Sequence, residues 1–210
     1  MDTSKTLQNY LDELSSNSPT PGGGNVAALC GALSSSLATM VCNLTIGKKK
    51  YAEVESEMIS LKEKLEIYQK KFIELGKKDN LAFDKVMDAF KLPKDTDEQK
   101  EIRNKEIENA TIGAAEIPSE VMQTAKELLP LLKIIIEKGN RNSLSDVGVA
   151  AALVETASKG AYLNVIINCA SLNNQIIAQE MKKRADIVLQ ETCNESESLV
   201  QKVISSISSN

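Results

Sequence analysis

The feature that most constrains this fold is a long run without any charged side chain, from about Asn25 to Ile46. Winding the run at 100° per residue gives two faces. One face carries large residues, namely Val26, Leu29, Cys30, Leu33, Leu37, Met40, Val41 and Leu44. The opposite face carries small ones, namely Ala28, Gly31, Ser35, Ala38 and Cys42. A helix that is apolar all round is buried, either in a protein core or in lipid.

The same run is long enough to cross a bilayer, but three consecutive serines, Ser34 to Ser36, lie near its middle. The rest of the chain is rich in charged residues. The run therefore favours the central helix of a soluble bundle over a membrane span. Its small face allows another backbone to come close.

Composition extends this prediction to the whole chain. Only 3% of the 210 residues are aromatic and only five are proline, and long alternating strand patterns are absent. We expect an all-α, single-domain helical bundle over residues 1–210, with a buried small-residue central helix and long amphipathic helices.

Several classes of protein are excluded or disfavoured. A net charge of -4 argues against a general nucleic-acid binder. The absence of histidine excludes a histidine-ligated zinc site, a Ser-His-Asp triad and a histidine general base. The N-terminus is amphipathic rather than basic and then apolar, so we expect a cytoplasmic protein whose four cysteines are reduced thiols.

Periodicity and breakers place the other helices. Thr96 and Gln99 match a capping box and open one of them. Pro118 and Pro130 are expected to kink or divide that helix. The predicted helices cover about Leu7–Leu14, Asn25–Ile46, Glu53–Lys91, Gln99–Lys138, the Ala-rich stretch after "GNRNSLSD" to Cys169, and Asn174–Ile207.

The triple glycine Gly22–Gly24 precedes the uncharged run, but its spacing fits neither a P-loop nor a dinucleotide fingerprint. A glycine run that feeds a helix N-terminus favours an anion. The alternative is a plain loop before a helix capped by Asn25. One straight helix would hold Gly24 and Lys48 about 36 Å apart, so a single small anion cannot contact both within one chain.

Two acids and two amides lie on unexpected helix faces. Asp79 falls in the middle of an apolar stripe, which suggests a functional carboxylate, a buried ion pair, or a helix break at Gly76. Asp146 is either functional or one half of a capping arrangement with Ser143. Asn164 and Asn168 are four residues apart on a small-residue face, where they line a ligand groove or tie neighbouring helices together.

These pieces together resemble the cyclodeaminase/cyclohydrolase family of folate enzymes. The motifs that carry the resemblance are "TPGGGNVAALCGAL", "NLTIGKKKY", "DNLAFDKVMDAFKLPK", "GNRNSLSDVGVAA" and "GAYLNVIIN", in the family's order over nearly the whole chain. Two departures stand out. Asn25 occupies a position where the family usually has Ser, and any family mechanism that uses histidine cannot apply here.

The resemblance implies a homodimeric enzyme that acts on a folate, possibly polyglutamylated, without a metal or a tightly bound cofactor, and with neither nucleic acid nor membrane as a partner. The activity favoured is formiminotetrahydrofolate cyclodeaminase, which forms methenyltetrahydrofolate and releases ammonia. The alternatives are methenyltetrahydrofolate cyclohydrolase and a non-catalytic folate-binding bundle.

The resemblance also implies roles for individual residues. Asp79 and Asp146 would be the catalytic carboxylates. The residues implied in substrate binding are Gly22, Gly23, Gly24, Asn25, Lys48, Lys49, Lys50, Asn140, Asn164 and Asn168, with the lysines suited to the carboxylates of a glutamate tail.

Overall fold

A computed structural model describes residues 4–209, and this part of the chain folds into six α-helices without any strand. Short 3₁₀ turns at Lys49–Val54 and Arg141–Ser143 precede two of the helices. The predicted all-α bundle is confirmed. The helices are α1 (Leu7–Leu14), α2 (Gly23–Thr45), α3 (Glu55–Phe90), α4 (Asp97–Lys138), α5 (Leu144–Ala170) and α6 (Gln175–Ser208).

Helix α2 packs between α3 and α5, and its small-residue face is the buried one. Ala28, Ser35, Ala38 and Cys42 on this face are all fully buried. The large-residue face is partly open instead, because its members include Leu33, which is 46% exposed. By length and composition alone α2 is apolar enough to cross a membrane. However, 56% of its most apolar 18-residue stretch is buried inside the bundle.

Contacts between α2 and its neighbours set the direction of the helices. Ser34 Oγ donates to the Ala150 carbonyl at 2.8 Å, and a Cβ on Gly160 would lie 3.1 Å from that of Ala27. Helix α5 therefore runs antiparallel to α2. On the other side, Gln69 of α3 donates to Ser36 Oγ at 2.7 Å.

Helices α3 and α4 are longer and more continuous than the breakers in their sequences suggest. Helix α3 runs through Gly76, so the predicted alternative of a break there is wrong. Helix α4 contains both Pro118 and Pro130 within a single helix, so the prolines do not divide it. Its start is as predicted, because Thr96 and Gln99 form a capping box.

Helix α1 differs from the others because it buries none of its residues. Leu7 is 70% exposed and Leu11 is 46% exposed. Tyr10 is half-buried, and its hydroxyl donates to Asn25 of α2 at 3.0 Å. Through this bond α1 lies beside the start of α2.

Candidate functional site

A cavity of about 330 Å³ opens at the N-terminal end of α2. It brings together six of the predicted site residues from three separate stretches of sequence, namely Gly22, Gly23, Gly24, Asp79, Asn164 and Asn168. Apolar walls come from Phe83, Val86, Ala114 and Ile167. The volume lies at the lower end of the range of small-molecule sites.

The glycines bring the backbone of α2 against a carboxylate. A Cβ added to Gly24 would collide with Asp79 Oδ1 and lie 2.7 Å from its Cγ. Such an approach does not occur between real atoms, so only glycine permits it. The glycines were predicted to let the backbone approach a ligand closely. In the structure, the group that approaches Gly24 is the side chain of Asp79 from α3.

Asp79 also serves as the cap of α2. The helix begins after Gly22, which provides no side-chain hydrogen bond. The Asp79 carboxylate lies against the first turn beside Gly24, where burial raises its pKa and the backbone N–H of Asn25 lowers it. Free N–H groups and the helix dipole favour a negative charge at this position. The alternative in which Asn25 caps α2 is wrong, because Asn25 lies inside the first turn and the cap comes from α3.

The surroundings of Asp79 favour its protonated form. Desolvation by burial raises the pKa of its carboxyl above the ordinary value, and the N–H bond from Asn25 partly offsets this rise. No lysine or arginine lines the cavity, and among residues 4–209 Asp79 makes no ion pair. The alternative of a buried ion pair is therefore wrong. A carboxyl with a raised pKa in a cavity is suited to proton transfer.

Pro118 explains the orientation of Asn168. Proline has no N–H, so Pro118 leaves the carbonyl of Ala114, four residues earlier in α4, without its helical donor. Asn168 Nδ2 donates to that carbonyl at 3.1 Å and to the Asn164 carbonyl at 2.9 Å. Both hydrogens of the Asn168 amide are thus committed to backbone.

Asn164 is fixed in a similar way, because its Nδ2 donates to the Gly160 carbonyl at 2.9 Å. No described residue donates to the side-chain oxygen of Asn164 or of Asn168. Both amide oxygens are therefore available as acceptors. Asn168 ties α5 to α4, which confirms the predicted role of joining neighbouring helices. Both residues also line the cavity, so their predicted role toward a ligand stays a prediction.

The remaining predicted residues lie at the opposite end of α2. Asn140 closes this end, because its backbone N–H donates to Thr45 Oγ1 and its Nδ2 donates to the Leu44 carbonyl, both at 2.9 Å. Lys48, Lys49 and Lys50 are exposed just beyond α2. Helix α2 itself separates Gly24 from Thr45 by about 32 Å.

Asp146 also lies at this far end, half-buried in the first turn of α5. The predicted capping arrangement is wrong, because Ser143 is the N-cap of α5 but makes no side-chain cap bond. Along α5, Asp146 and Asn164 are about 27 Å apart. Within one chain, Asp146 and Asp79 therefore do not share a cavity.

Sequence reasoning missed several residues at the site. Phe83 and Val86 follow Asp79 at helical spacing, so the face of α3 that carries the acid could have identified them as walls. Nothing in the sequence signals Tyr10, whose hydroxyl reaches Asn25 from a different helix. The same holds for Asn80, which accepts from Asn25 Nδ2 at 3.1 Å.

The fold and the cavity define a helical bundle in which one carboxyl group and two amide oxygens line a cavity of small-molecule size. Comparison with known proteins identifies the family. A family model described as formiminotransferase-cyclodeaminase matches residues 6–187. The chain belongs to this family of folate one-carbon proteins, as its motifs predict.

Three relatives illustrate the range of the family. The chain is 41% identical over 187 residues to the methenyltetrahydrofolate cyclohydrolase of Methylorubrum extorquens, covering 89% of this chain and 90% of that protein. It is 32% identical over 186 residues to the formimidoyltransferase-cyclodeaminase of Rattus norvegicus, covering 89% of this chain but only 34% of that longer protein. The crystal structure of formiminotetrahydrofolate cyclodeaminase from Thermotoga maritima superposes with a TM-score of 0.82 at 33% identity, covering 98% of this chain and 96% of that one.

Proposed function

We propose that this chain is an enzyme of tetrahydrofolate one-carbon metabolism that hydrolyses methenyltetrahydrofolate to formyltetrahydrofolate. The observation that carries the proposal is the Asp79 carboxyl, held over the bare start of α2 in a cavity opposite two amide oxygens. The cyclohydrolase activity, rather than the deaminase activity, is supported by the 41% identity to a cyclohydrolase of nearly the same length.

The charge of the cavity suits a cationic substrate. The methenyl carbon is bonded to two folate nitrogens that share a positive charge. Among the described residues that line it, the cavity offers one carboxylate and no competing lysine or arginine. An ionised Asp79 next to this carbon would stabilise the bound cation and would be placed to accept a proton.

Asp79 then serves in two steps. As water attacks the methenyl carbon and forms the new C–O bond, the carboxylate takes the proton that the water releases. The tetrahedral carbon then collapses: its hydroxyl oxygen forms the C=O bond and releases its remaining proton to solvent, one C–N bond breaks, and Asp79 returns its proton to the departing nitrogen. A carboxyl whose pKa is raised performs both transfers better than an ordinary aspartate, because its pKa is closer to neutral pH.

The amides would bind and orient the ring. A reduced pterin presents several N–H donors along one edge, and the side-chain oxygens of Asn164 and Asn168 are acceptors without a partner among the described residues. The cavity of about 330 Å³ is large enough for the ring system but not for a whole folate. The benzoyl-glutamate part of the ligand would therefore lie outside it.

The second candidate is formiminotetrahydrofolate cyclodeaminase, which the match to the Thermotoga maritima enzyme over 98% of this chain favours. In that reaction a folate nitrogen attacks the formimino carbon and gives up its proton to Asp79, which would return it to the amino group as the other C–N bond breaks and ammonia leaves. Purified protein assayed with each substrate, with methenyl absorbance as the signal, separates the two activities. Loss of methenyl absorbance supports the hydrolase, whereas its appearance from the formimino substrate together with ammonia supports the deaminase. Turnover of neither substrate overturns both candidates.

We also propose that the chain acts as a homodimer, with the outer face of α2 at the interface. Leu33, Met40 and Leu44 on this face are 46%, 37% and 40% exposed, and Leu163 of the neighbouring α5 is 67% exposed. A two-fold axis across this face would pair the two α2 helices antiparallel. The lysine end of one chain would then lie near the glycine end of the other, where a glutamate tail leaves the cavity.

Mixing two inactive variants tests this shared site. Asp79→Asn and Asp146→Asn homodimers should each lose turnover if both acids serve one composite site. After subunit exchange, half of the dimers are mixed and each contains one intact site, so about a quarter of the wild-type activity should return. Full activity of Asp146→Asn alone would remove Asp146 from the mechanism, and a monomer in sedimentation would overturn the dimer.

A further inference from the structure

Asn25 is a fully buried polar side chain at the foot of the cavity, yet it does not line the cavity. Its Nδ2 donates to the Gly76 carbonyl at 2.7 Å and to Asn80 Oδ1 at 3.1 Å. Its Oδ1 accepts from the Tyr10 hydroxyl at 3.0 Å. Both amide hydrogens are thus used and the oxygen accepts one bond, and because the side chain is fully buried it does not reach a ligand in the cavity.

These bonds join three helices at the residue next to Asp79. Tyr10 belongs to α1, Asn25 to α2, and the Gly76–Asn80 turn to α3. The side chain of Asn25 holds its own backbone against that turn. The Asp79 carboxylate carried by the turn lies against the adjacent Gly24, where burial raises the pKa of this carboxyl and the backbone N–H of Asn25 lowers it. A shift of the Asn25 side chain would therefore move the donor that fixes Asp79.

We propose that Tyr10, Asn25 and Asn80 are positioning residues, which hold the Asp79 carboxylate in its reactive place through a buried hydrogen-bond chain. The structural part of this inference stands on the contacts alone, and its kinetic consequence rests on the proposed function. Helix α1 thereby becomes part of the site without touching the cavity, since Tyr10 is its polar link to α2.

Tyr10 of α1 is a titratable group close to Asp79, and burial raises the pKa of its hydroxyl above the ordinary value. The hydroxyl is therefore neutral where a carboxyl titrates. Any change in the titration of Asp79 when the Tyr10 hydroxyl is removed then reports hydrogen bonding and not the loss of a charge.

The test removes the hydroxyl with Tyr10→Phe and compares it with Tyr68→Phe. The control is matched, because Tyr68 is also half-buried and its hydroxyl donates to Glu127 between α3 and α4, at 3.4 Å. Carbon-13 NMR of labelled aspartate carboxyls measures the pKa of Asp79 directly, with its signal assigned from Asp79→Asn. The pH profile of kcat/KM is recorded with the folate substrate.

In Tyr10→Phe we expect the pKa of Asp79 to rise above the wild-type value, because the Asn25 N–H that stabilises the charged form is held less firmly. The acid limb of the pH profile should move upward with it. The kcat/KM measured on that limb should fall about tenfold, the effect of losing one hydrogen bond. Tyr68→Phe should leave both unchanged.

The outcomes separate this inference from the proposed function. An unchanged titration of Asp79 in folded Tyr10→Phe overturns the positioning role, whatever the turnover. A shifted titration in a protein without folate turnover supports the positioning and contradicts the proposed function. If Tyr10→Phe does not fold, Asn80→Ala replaces it, since this variant removes one of the two Asn25 contacts on α3 and leaves α1 intact. The same shift is expected there, and its absence overturns the inference.

Discussion

Helices α2 and α3 meet closely at two glycines, Gly24 and Gly31, which are seven residues apart. A Cβ on Gly31 would collide with the ring of Phe72, and one on Gly24 would collide with the carboxylate of Asp79. Phe72 and Asp79 are also seven residues apart on α3, so the two contacts are successive repeats of one antiparallel packing pattern. One repeat inserts a ring into the core and the other inserts an acid beside a cavity.

The difference shows how position along a helix changes the use of one packing arrangement. Gly31 lies inside α2, where backbone N–H groups are already bonded, and Phe72 is fully buried there. Gly24 lies in the first turn, where N–H groups are free and a negative charge is favoured. The missing side chain of a glycine therefore makes room for the Phe72 ring at Gly31 and for the Asp79 carboxylate at Gly24.

The largest effect is expected for Asp79→Asn. Turnover should fall by about 10²–10⁴-fold, since the variant lacks the proton acceptor but keeps the shape. Steady-state kinetics at saturating substrate measures it. Asp84→Asn is the control, because Asp84 is an exposed carboxylate on the same helix and should retain full turnover.

The stability of Asp79→Asn should move in the opposite direction. The pKa of Asp79 is raised in the folded protein, so the stability that its bound proton contributes is fully present below the unfolded pKa. That stability is lost as the pH rises through the folded pKa. Near neutral pH, Asp79→Asn should thus unfold at an equal or higher denaturant concentration than the wild type, and the advantage should vanish in acid. A lower midpoint near neutral pH would contradict this expectation.

The two glycines give the next test. Gly24→Ala should displace the Asp79 carboxylate and lower turnover by more than about tenfold, in line with the loss from a small misplacement of a reacting group. Gly31→Ala should instead cost about 1–3 kcal/mol of unfolding free energy through overpacking against Phe72, with turnover nearly unchanged. Kinetics and denaturant unfolding of both variants are needed. Equal losses of turnover would show that the two contacts do not differ in function.

A smaller effect is expected for Asn168→Ala, and it can be divided into two parts. The variant leaves the Ala114 carbonyl without a donor, which should cost about 1–3 kcal/mol of stability. Adding Pro118→Ala supplies an N–H to that carbonyl and should restore much of the stability. Asn168→Ala should also raise KM, because the side-chain amide oxygen is missing. Adding Pro118→Ala should leave KM raised, since it does not replace that oxygen. A double variant with normal KM would remove Asn168 from the binding site.

The smallest effect concerns the lysines. Replacing Lys48, Lys49 and Lys50 by alanine should raise KM for a polyglutamylated folate by a few-fold, since exposed ion pairs contribute only about 0–1 kcal/mol each. KM for the monoglutamate should not change. High salt should reduce the difference between wild type and variant. A change in KM that does not depend on the number of glutamates would contradict the proposed contact with the tail.

Much of the fold could be predicted from local patterns. The start of α4 at Thr96 follows from a capping box, which needs only four neighbouring residues. Asp79 could be singled out as a candidate because a carboxylate on an apolar stripe is costly, and the structure places it in the wall of a cavity. Helical spacing also placed Asn164 and Asn168 on one face of α5. In the structure that face lines the same cavity as Asp79.

The rest depends on contacts between helices that no local pattern contains. The cap of α2 comes from Asp79, more than fifty residues away, and so sequence reasoning assigned it to Asn25. The prolines of α4 leave it continuous because other groups compensate, as Asn168 does for Pro118. Asp146 was predicted to act with Asp79 because both are carboxylates on unexpected helix faces. Asp146 lies in the first turn of α5, at the end of the bundle opposite to Asp79.

The position of Asp79 at the start of α2 has a consequence for the helix backbone. When Asp79 takes up a proton, the start of α2 loses the negative charge that its dipole favours, and the first turn is held less tightly. If Asp79 transfers protons as proposed, turnover would alternately tighten and loosen the glycine end of the central helix. At low pH the backbone amide hydrogen of Asn25 should exchange with solvent faster than those of the following turn. Its exchange rate would thus report whether Asp79 is protonated.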